Sequence, residues 1–319
     1  MRKSDLQAMW DRVSALDRQL SYRTVRFDKE CSAEVYVALS AENQRCLILR
    51  SGTLPMKPLE KQKLQIKFDD TIPGLVLKLA DNDYQDLFDD LVVSLYGAIK
   101  SEGNAKDAQE AFIRQFRKWV ALFEIEHKKN LSEETILGLI GELHVLEALL
   151  NDSDDIEVNK ILSSWRGPYD ETQDFVLEDK NLEVKTVTSK ATAVSINSLS
   201  QLTEEHGKGL ELLVRTVSSC ADKGVSLSET FHRVVEQAVQ RGGDSVILFE
   251  AISQKGLSTK NIVDYDHLKY RFHKEKVYDA LMSEFPKLTG SNISPAITKV
   301  SYTVSLAGLE PFLLREVDL

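Results

Sequence analysis

The spacing of apolar residues changes along the chain, and each change marks an element. After a first helix-like segment, VYVAL and CLILR flank the polar SAENQ, so Ala33–Arg50 predicts a hairpin. LQIKF follows, and then LVLKL after the turn signal TIPG. The first third is therefore β-rich. The period then lengthens to three and four residues in YQDLFDDLVVSLYGAIK and DAQEAFIRQFRKWVALFEIEHKK. There Phe112, Phe116, Trp119 and Phe123 make one helix stripe, a pattern that packs into a core more readily than it stacks bases.

A new unit opens at NLSEETILGLIGELHVLEALL. Ser132 is a helix N-cap, with Glu133 and Glu134 in the first turn where the helix dipole favours anions. Ile136, Leu139, Leu143, Leu146 and Leu150 form the buried stripe. DFVL, LEVKT and ATAVSI read as strands, LELLVRTVSS as a further one, and SETFHRVVEQAVQ and the segment from Asp244 as helices. KVSYTVSLAGLEPFLL is a late strand or pair of strands. The expected organisation is a β-rich domain with helices over residues 1–130, its boundary near Asn130, then a second domain over 131–319. The second is an α/β (α+β) core, a mixed sheet flanked by helices.

Composition narrows the class. The chain is 42% hydrophobic and 28% charged, as expected of a globular protein with a real core. No apolar run approaches the roughly 20 residues that cross a bilayer, and a cytoplasmic location is expected. Cys31, Cys46 and Cys220 are widely spaced and odd in number, which suits free thiols. The net charge of −10 speaks against coating nucleic acid by bulk electrostatics. An enzyme acting locally on nucleic acid would need a basic patch, a metal or a partner.

The stretch DFVLEDKNLEVKT carries the candidate chemistry. Glu-Xaa-Lys occurs three times, at Glu126-His127-Lys128, Glu178-Asp179-Lys180 and Glu183-Val184-Lys185. The third is the one in a strand with apolar neighbours pointing the other way. On its own it reads more readily as a surface strand with one wet face. Asp174 begins the preceding strand, so a hairpin brings it opposite Glu183. Two carboxylates so close repel unless a cation joins them or one is protonated. Their oxygens suit Mg²⁺ or Mn²⁺, which keep waters for a substrate. Lys185, two residues on, then faces the attacking water or a phosphate oxygen. Glu142 interrupts the margin of the helix stripe, where a carboxylate is costly without a partner. Gln201, after the third strand, can orient the site or touch a base. Glu183 and Lys185 are expected on one face, turned toward the helix Ser132–Leu150.

GLIGELHVLEALL, SWRGPYDETQDFVL and LEVKTVTSKATAVSINSLSQL together resemble the PD-(D/E)XK nuclease superfamily. More narrowly, they are similar to a bacterial PD-(D/E)XK family long catalogued as a domain of unknown function. The resemblance is sharpest from Leu137 to Leu202 and extends to FPKL at Phe285–Leu288 and VSYTVSLAGLEPF. It implies a restriction-endonuclease-like fold and Mg²⁺- or Mn²⁺-dependent hydrolysis of DNA, in bacterial defence or restriction. It implies metal binding by Asp174, Glu183 and Glu142, a water-directed role for Lys185 and an accessory role for Gln201. Gln173 stands where the motif has proline. DNA is the implied partner, with proteins of a defence system as further partners, and the oligomeric state stays open, a dimer included. The alternative from another class is a catalytically silent adaptor that keeps the fold as a docking unit.

Other signals lead nowhere. No GxGxxG or Walker loop is present, and GGDS at Gly242–Ser245 lacks the lysine. His144 and His232 read as ordinary helix residues, since no Cys/His metal spacing accompanies them. Arg166, in the turn WRGP, is a candidate phosphate contact.

Overall fold

The structure is a computed structural model and describes residues 3–17, 20–28, 31–50, 58–69, 72–124, 131–290, 292–294 and 296–319. The chain forms two compact units. The first takes the described part of residues 1–127 with 239–253 and 258–260; the second takes the described part of 128–238 with 254–257 and 261–319. The expected boundary at Asn130 lies outside the described residues, as does the tripeptide Glu126-His127-Lys128.

In the first unit α1 (Lys3–Ser14) precedes six antiparallel strands: β1 (Tyr22–Arg26), β2 (Glu34–Ser40), β3 (Arg45–Arg50), β4 (Leu59–Glu60), β5 (Leu64–Asp69) and β6 (Gly74–Leu79). They lie in the order β1-β2-β3-β6-β5-β4. β2 and β3 are the expected hairpin; β1 is an additional strand whose Arg23, Thr24 and Arg26 mask its alternation. α2 (Gln85–Ile99) and α3 (Ala105–Val120) follow, and the aromatic stripe Phe112, Phe116, Trp119 and Phe123 is fully buried.

The second unit begins with α4 (Glu133–Asp152), where Ser132 Oγ accepts from the Thr135 N–H at 3.2 Å and so satisfies a first-turn donor. After it come α5 (Val158–Ser164), β7 (Phe175–Val176), β8 (Lys180–Thr188), β9 (Ala193–Ile196), β10 (Gly209–Ser219) and α6 (Leu227–Gln240). α7 (Val246–Gln254), β11 (Tyr270–Asp279), β12 (Tyr302–Ser305), α8 (Leu306–Leu309) and β13 (Leu313–Asp318) complete the chain, α7 up to Ser253 counting with the first unit. The main sheet runs β13-β11-β10-β8-β7. β8 and β10 are parallel and the other pairs antiparallel, so the sheet is mixed. The third expected strand, β9, leaves this sheet and pairs with β12. β11, next to β10, was not foreseen, because Arg271, His273, Lys274 and Lys276 hide its apolar positions.

β8 is an inner strand and both its faces are covered, which overturns the reading of a surface strand with one wet face. One face carries Val184 and Thr186 and, across the parallel pair, Leu213 and Arg215. Helix α4 lies on this face. A Cβ at Gly141 would overlap Thr186 Oγ1, so only glycine lets helix and strand approach this closely. Arg215 is buried here, its guanidinium 2.5 Å from His144 Nδ1 and bonded twice to Glu275 Oε2. The opposite face carries Glu183, Lys185 and Val187 beside Leu212 and Val214, and it is covered by Val194, Ile196, Val304, Phe285 and Phe312. Glu183 and Lys185 therefore point away from α4, a correction to the expectation above. The period of two settles which residues share a face, not which face the helix takes.

Gly141→Ala is expected to destabilise the protein by about 1–3 kcal/mol despite alanine's better helix propensity, because overpacking outweighs it. Thermal melting checks this, and Thr186→Ala in the same chain should recover part of the loss.

Candidate active site

Three separate segments deliver carboxylates to one place. The hairpin delivers two: β7 pairs with β8 so that Phe175 opposes Leu182, which sets Asp174 opposite Glu183. The strand begins at Lys180, earlier than expected, and the turn closes with Leu177 N–H donating to Lys180 O at 2.9 Å. Asp174 Oδ2 accepts the Val184 N–H at 2.8 Å, which locks the acid against the strand. Glu142 comes from α4, and Trp165 Nε1 donates to its Oε2 at 2.7 Å. The segment after Trp165 then turns back, with the N–H groups of Arg166 and Gly167 both donating to Asp174 O at 2.7 and 3.1 Å. This presses Gly167 against the acids. A Cβ there would overlap Glu142 Oε2 and lie 2.9 Å from Asp174 Oδ1, so two carboxylates flank one glycine.

Electrostatics make the cluster unusual. Glu183 is 1% exposed, and burial first, then the Asp174 charge, pushes its carboxyl up to about 8. Glu142 is raised well above the usual range, by its enclosure, then by Asp174. Asp174 is raised by desolvation and held back by the Val184 N–H, Lys185 and Lys255. Lys185 Nζ lies 2.7 Å from Glu183 Oε1 as an ion pair. Beyond this ion pair, neither Glu183 oxygen has a hydrogen-bond partner. Buried carboxylate oxygens without donors are expensive.

The structure thus brings together Asp174, Glu183, Lys185 and Glu142. It does not bring Gln201 to them by any hydrogen bond among the described residues. Gln201 sits in the 3-10 turn Leu199–Leu202 rather than at a helix start, and its Oε1 accepts the Asn197 N–H at 2.7 Å. Arg166 lies 3.6 Å from Glu171 and over the Tyr169 ring. His144 is pushed down to about 3 by burial and then by Arg215, so it is a neutral acceptor under the helix. Residues not anticipated include Trp165, Gly167, Gln173 and Lys255. The first two lay in SWRGPYD, but nothing in the one-dimensional pattern ties them to Glu142. Gln173, at the proline position of the motif, is buried and donates to Ser200 O and Thr203 O at 2.9 and 3.2 Å, so it clamps the approach to Asp174.

The donor set fits a hard divalent cation. Asp174, Glu142 and Glu183 supply oxygen ligands; Glu183 Oε1 meets the Lys185 ammonium, and neither Glu183 oxygen has a hydrogen-bond partner. Among the described residues no three His, Cys, Asp or Glu side chains already converge at ligand distance. A cation binding one or two carboxylates and otherwise water, the habit of Mg²⁺, needs no such convergence.

Residues 6–307 match one family model, whose description reads "Putative PD-(D/E)XK family member, (DUF4420)". The chain belongs to this family. No curated protein and no solved structure matches it. As a DUF4420 member it has the restriction-endonuclease-like arrangement seen in its mixed sheet flanked by helices. Among its described residues no helix is long and apolar enough to cross a membrane.

A pH dependence follows from Glu183. Unfolded, it ionises near 4.5; folded and metal-free, it holds its proton up to about 8. The folded state therefore binds more protons across that window, and stability, full below it, falls as pH rises through it. Denaturant midpoints measured in chelator should drop from the acid to the alkaline end of this window. Glu183→Gln should flatten the dependence and stabilise the metal-free protein at the alkaline end.

Proposed function

We propose that this DUF4420 protein is a divalent-metal-dependent nuclease that hydrolyses phosphodiester bonds of DNA. The observation that carries the reading is the cluster itself: buried Glu183 crowded with half-buried Asp174, Glu142 and Lys185, each acid pushed up first by desolvation. Such perturbed acids gather at functional sites more than elsewhere. Asp174 and Glu183, with Glu142, would hold Mg²⁺ or Mn²⁺, which when bound supplies Lewis-acid polarisation of the phosphate and a more acidic water.

The chain's own residues do the rest. The Val184 N–H and the Gln173 clamp fix Asp174; Trp165 fixes Glu142. Lys185 stands on the Glu183 face with its ammonium poised between that carboxylate and incoming substrate, where it directs a water and offsets charge gathering on the phosphate. The packed apolar cover of that face, from Val194 to Phe312, keeps bulk water from the strand and strengthens each charge. A cytoplasmic setting and a role in defence against foreign DNA accord with the reading. The adaptor reading draws support from the absence of preassembled metal ligation among the described residues and from the net charge of −10.

Asp174→Ala and Glu183→Ala should each abolish Mg²⁺ and Mn²⁺ binding in calorimetric titration while the fold persists. Lys185→Ala should keep metal affinity and lose about 10²–10³ in single-turnover cleavage rate. Lys185→Arg should not restore it fully, because a planar guanidinium is larger and keeps its proton. A Lys185→Ala protein that cuts as fast as wild type would sink the mechanism. If no protein cuts with any metal or nucleic acid, the adaptor reading takes its place.

A further inference from the structure

Lys255 is the cation of this region that the motif does not contain. Its side chain is 18% exposed, yet its ion-pair partner, Asp170, is 85% exposed. The covered member of the pair is the lysine, and the acid is almost entirely in water. Water screens the exposed acid, so exchanging this partner for another anion costs little. The position is also specific. Asp170 ends the turn Gly167–Tyr169, whose glycine presses on Glu142 and Asp174, and Asp170 N–H bonds back to Gly167 O at 3.2 Å. Through Asp170, the pair is joined to the turn whose Gly167 presses on both carboxylates, and the Lys255 charge is felt by Glu142 and Asp174.

Two further observations agree. Asp170 has φ 56°, ψ 34°, a left-handed backbone uncommon outside glycine, and the turn keeps it there with its carboxylate outward. The next residue, Glu171, holds Arg166 in a similar way, 3.6 Å apart and with both side chains 41–45% exposed. One turn thus offers two adjacent wet acids to two cations next to the candidate active site.

We propose that Lys255 and Asp170 form a phosphate-binding subsite in which Asp170 occupies the place of a backbone phosphate until nucleic acid arrives. The proposal rests on the nuclease reading above and names what that site grips beside the reacting bond. The phosphodiester takes the Lys255 ammonium, Asp170 is released to solvent, and no bond is made or broken. Arg166 exchanges Glu171 for a neighbouring phosphate by the same logic. In a chain of charge −10, cations neutralised by their own loop remain in place without a broad basic surface.

The test is equilibrium binding of a short fluorescein-labelled DNA duplex by anisotropy, in Mg²⁺, with Lys185→Ala as the non-cleaving parent. Adding Lys255→Met should weaken binding about tenfold and reduce the slope of log affinity against log salt by about one, as expected for one lost phosphate contact. Adding Asp170→Asn instead should tighten binding several-fold with the slope unchanged, since a competitor for Lys255 is gone. Lys255→Met with unchanged affinity, or weakened without a change in slope, overturns the proposal. So does Asp170→Asn that weakens binding as Lys255→Met does, because the pair would then be structural. These results leave the nuclease reading intact when wild type cuts and Lys185→Ala does not. A parent that binds no nucleic acid overturns both.

Discussion

Everything distinctive about the second unit follows from negative charge taken out of water. Glu183 sits on an inner strand, 1% exposed, with Asp174 opposite and Glu142 near. Water would otherwise solvate each carboxylate, and the protein gives the cluster one close ammonium, one backbone N–H and one indole N–H. That is too little for three negative charges in a poorly polarisable setting, so Glu142 and Glu183 are pushed well above the ordinary carboxylate range and Asp174 is raised as well. On the proposed reading, a site built this way exchanges protons for a cation. It is less stable for it, as functional sites commonly are.

The surrounding architecture serves to keep that crowding in place. The β7–β8 hairpin fixes two acids by register, which a short turn makes rigid. The third arrives from a helix lying on the other face of the sheet, and it reaches the cluster because Gly141 lets α4 sit close on Thr186 and Gly167 leaves room at the edge. Gln173 ties Asp174's approach to the turn at Ser200–Thr203 in place of the proline that the motif would carry there. Rigid support of this kind is what holds charged groups in an arrangement that repels itself.

The acidic balance of the whole chain looks at odds with the nucleic-acid substrate proposed for it, yet local arrangement can reconcile the two. Protonated acids carry no charge, and a bound divalent ion reverses the sign of what remains. Lys185, Lys255 and Arg166 are each held by a carboxylate already present, so net charge says little about the local potential beside this cluster.

Much of this was legible in the sequence. The period of two in LEVK put Glu183 and Lys185 on one face, and the turn between DFVL and LEVKT put Asp174 opposite Glu183, because strand alternation and hairpin pairing are local geometry. Glu142 stood out as a carboxylate in an apolar stripe. What tertiary structure decided is which face the helix covers, that β8 is an inner strand, that β9 leaves the sheet and that β11 enters it. Each depends on contacts between residues far apart in the chain; β11 is masked further because its lysines find their partners only in the fold, Glu316 on β13 and Glu310 in the turn before it. Gln201 matched a motif by position, but a hydrogen bond within its own turn claims its carbonyl. Trp165 and Lys255 carry no signature at all in one dimension, since an indole becomes a carboxylate's donor, and a lysine a turn aspartate's partner, only where folding sets them side by side.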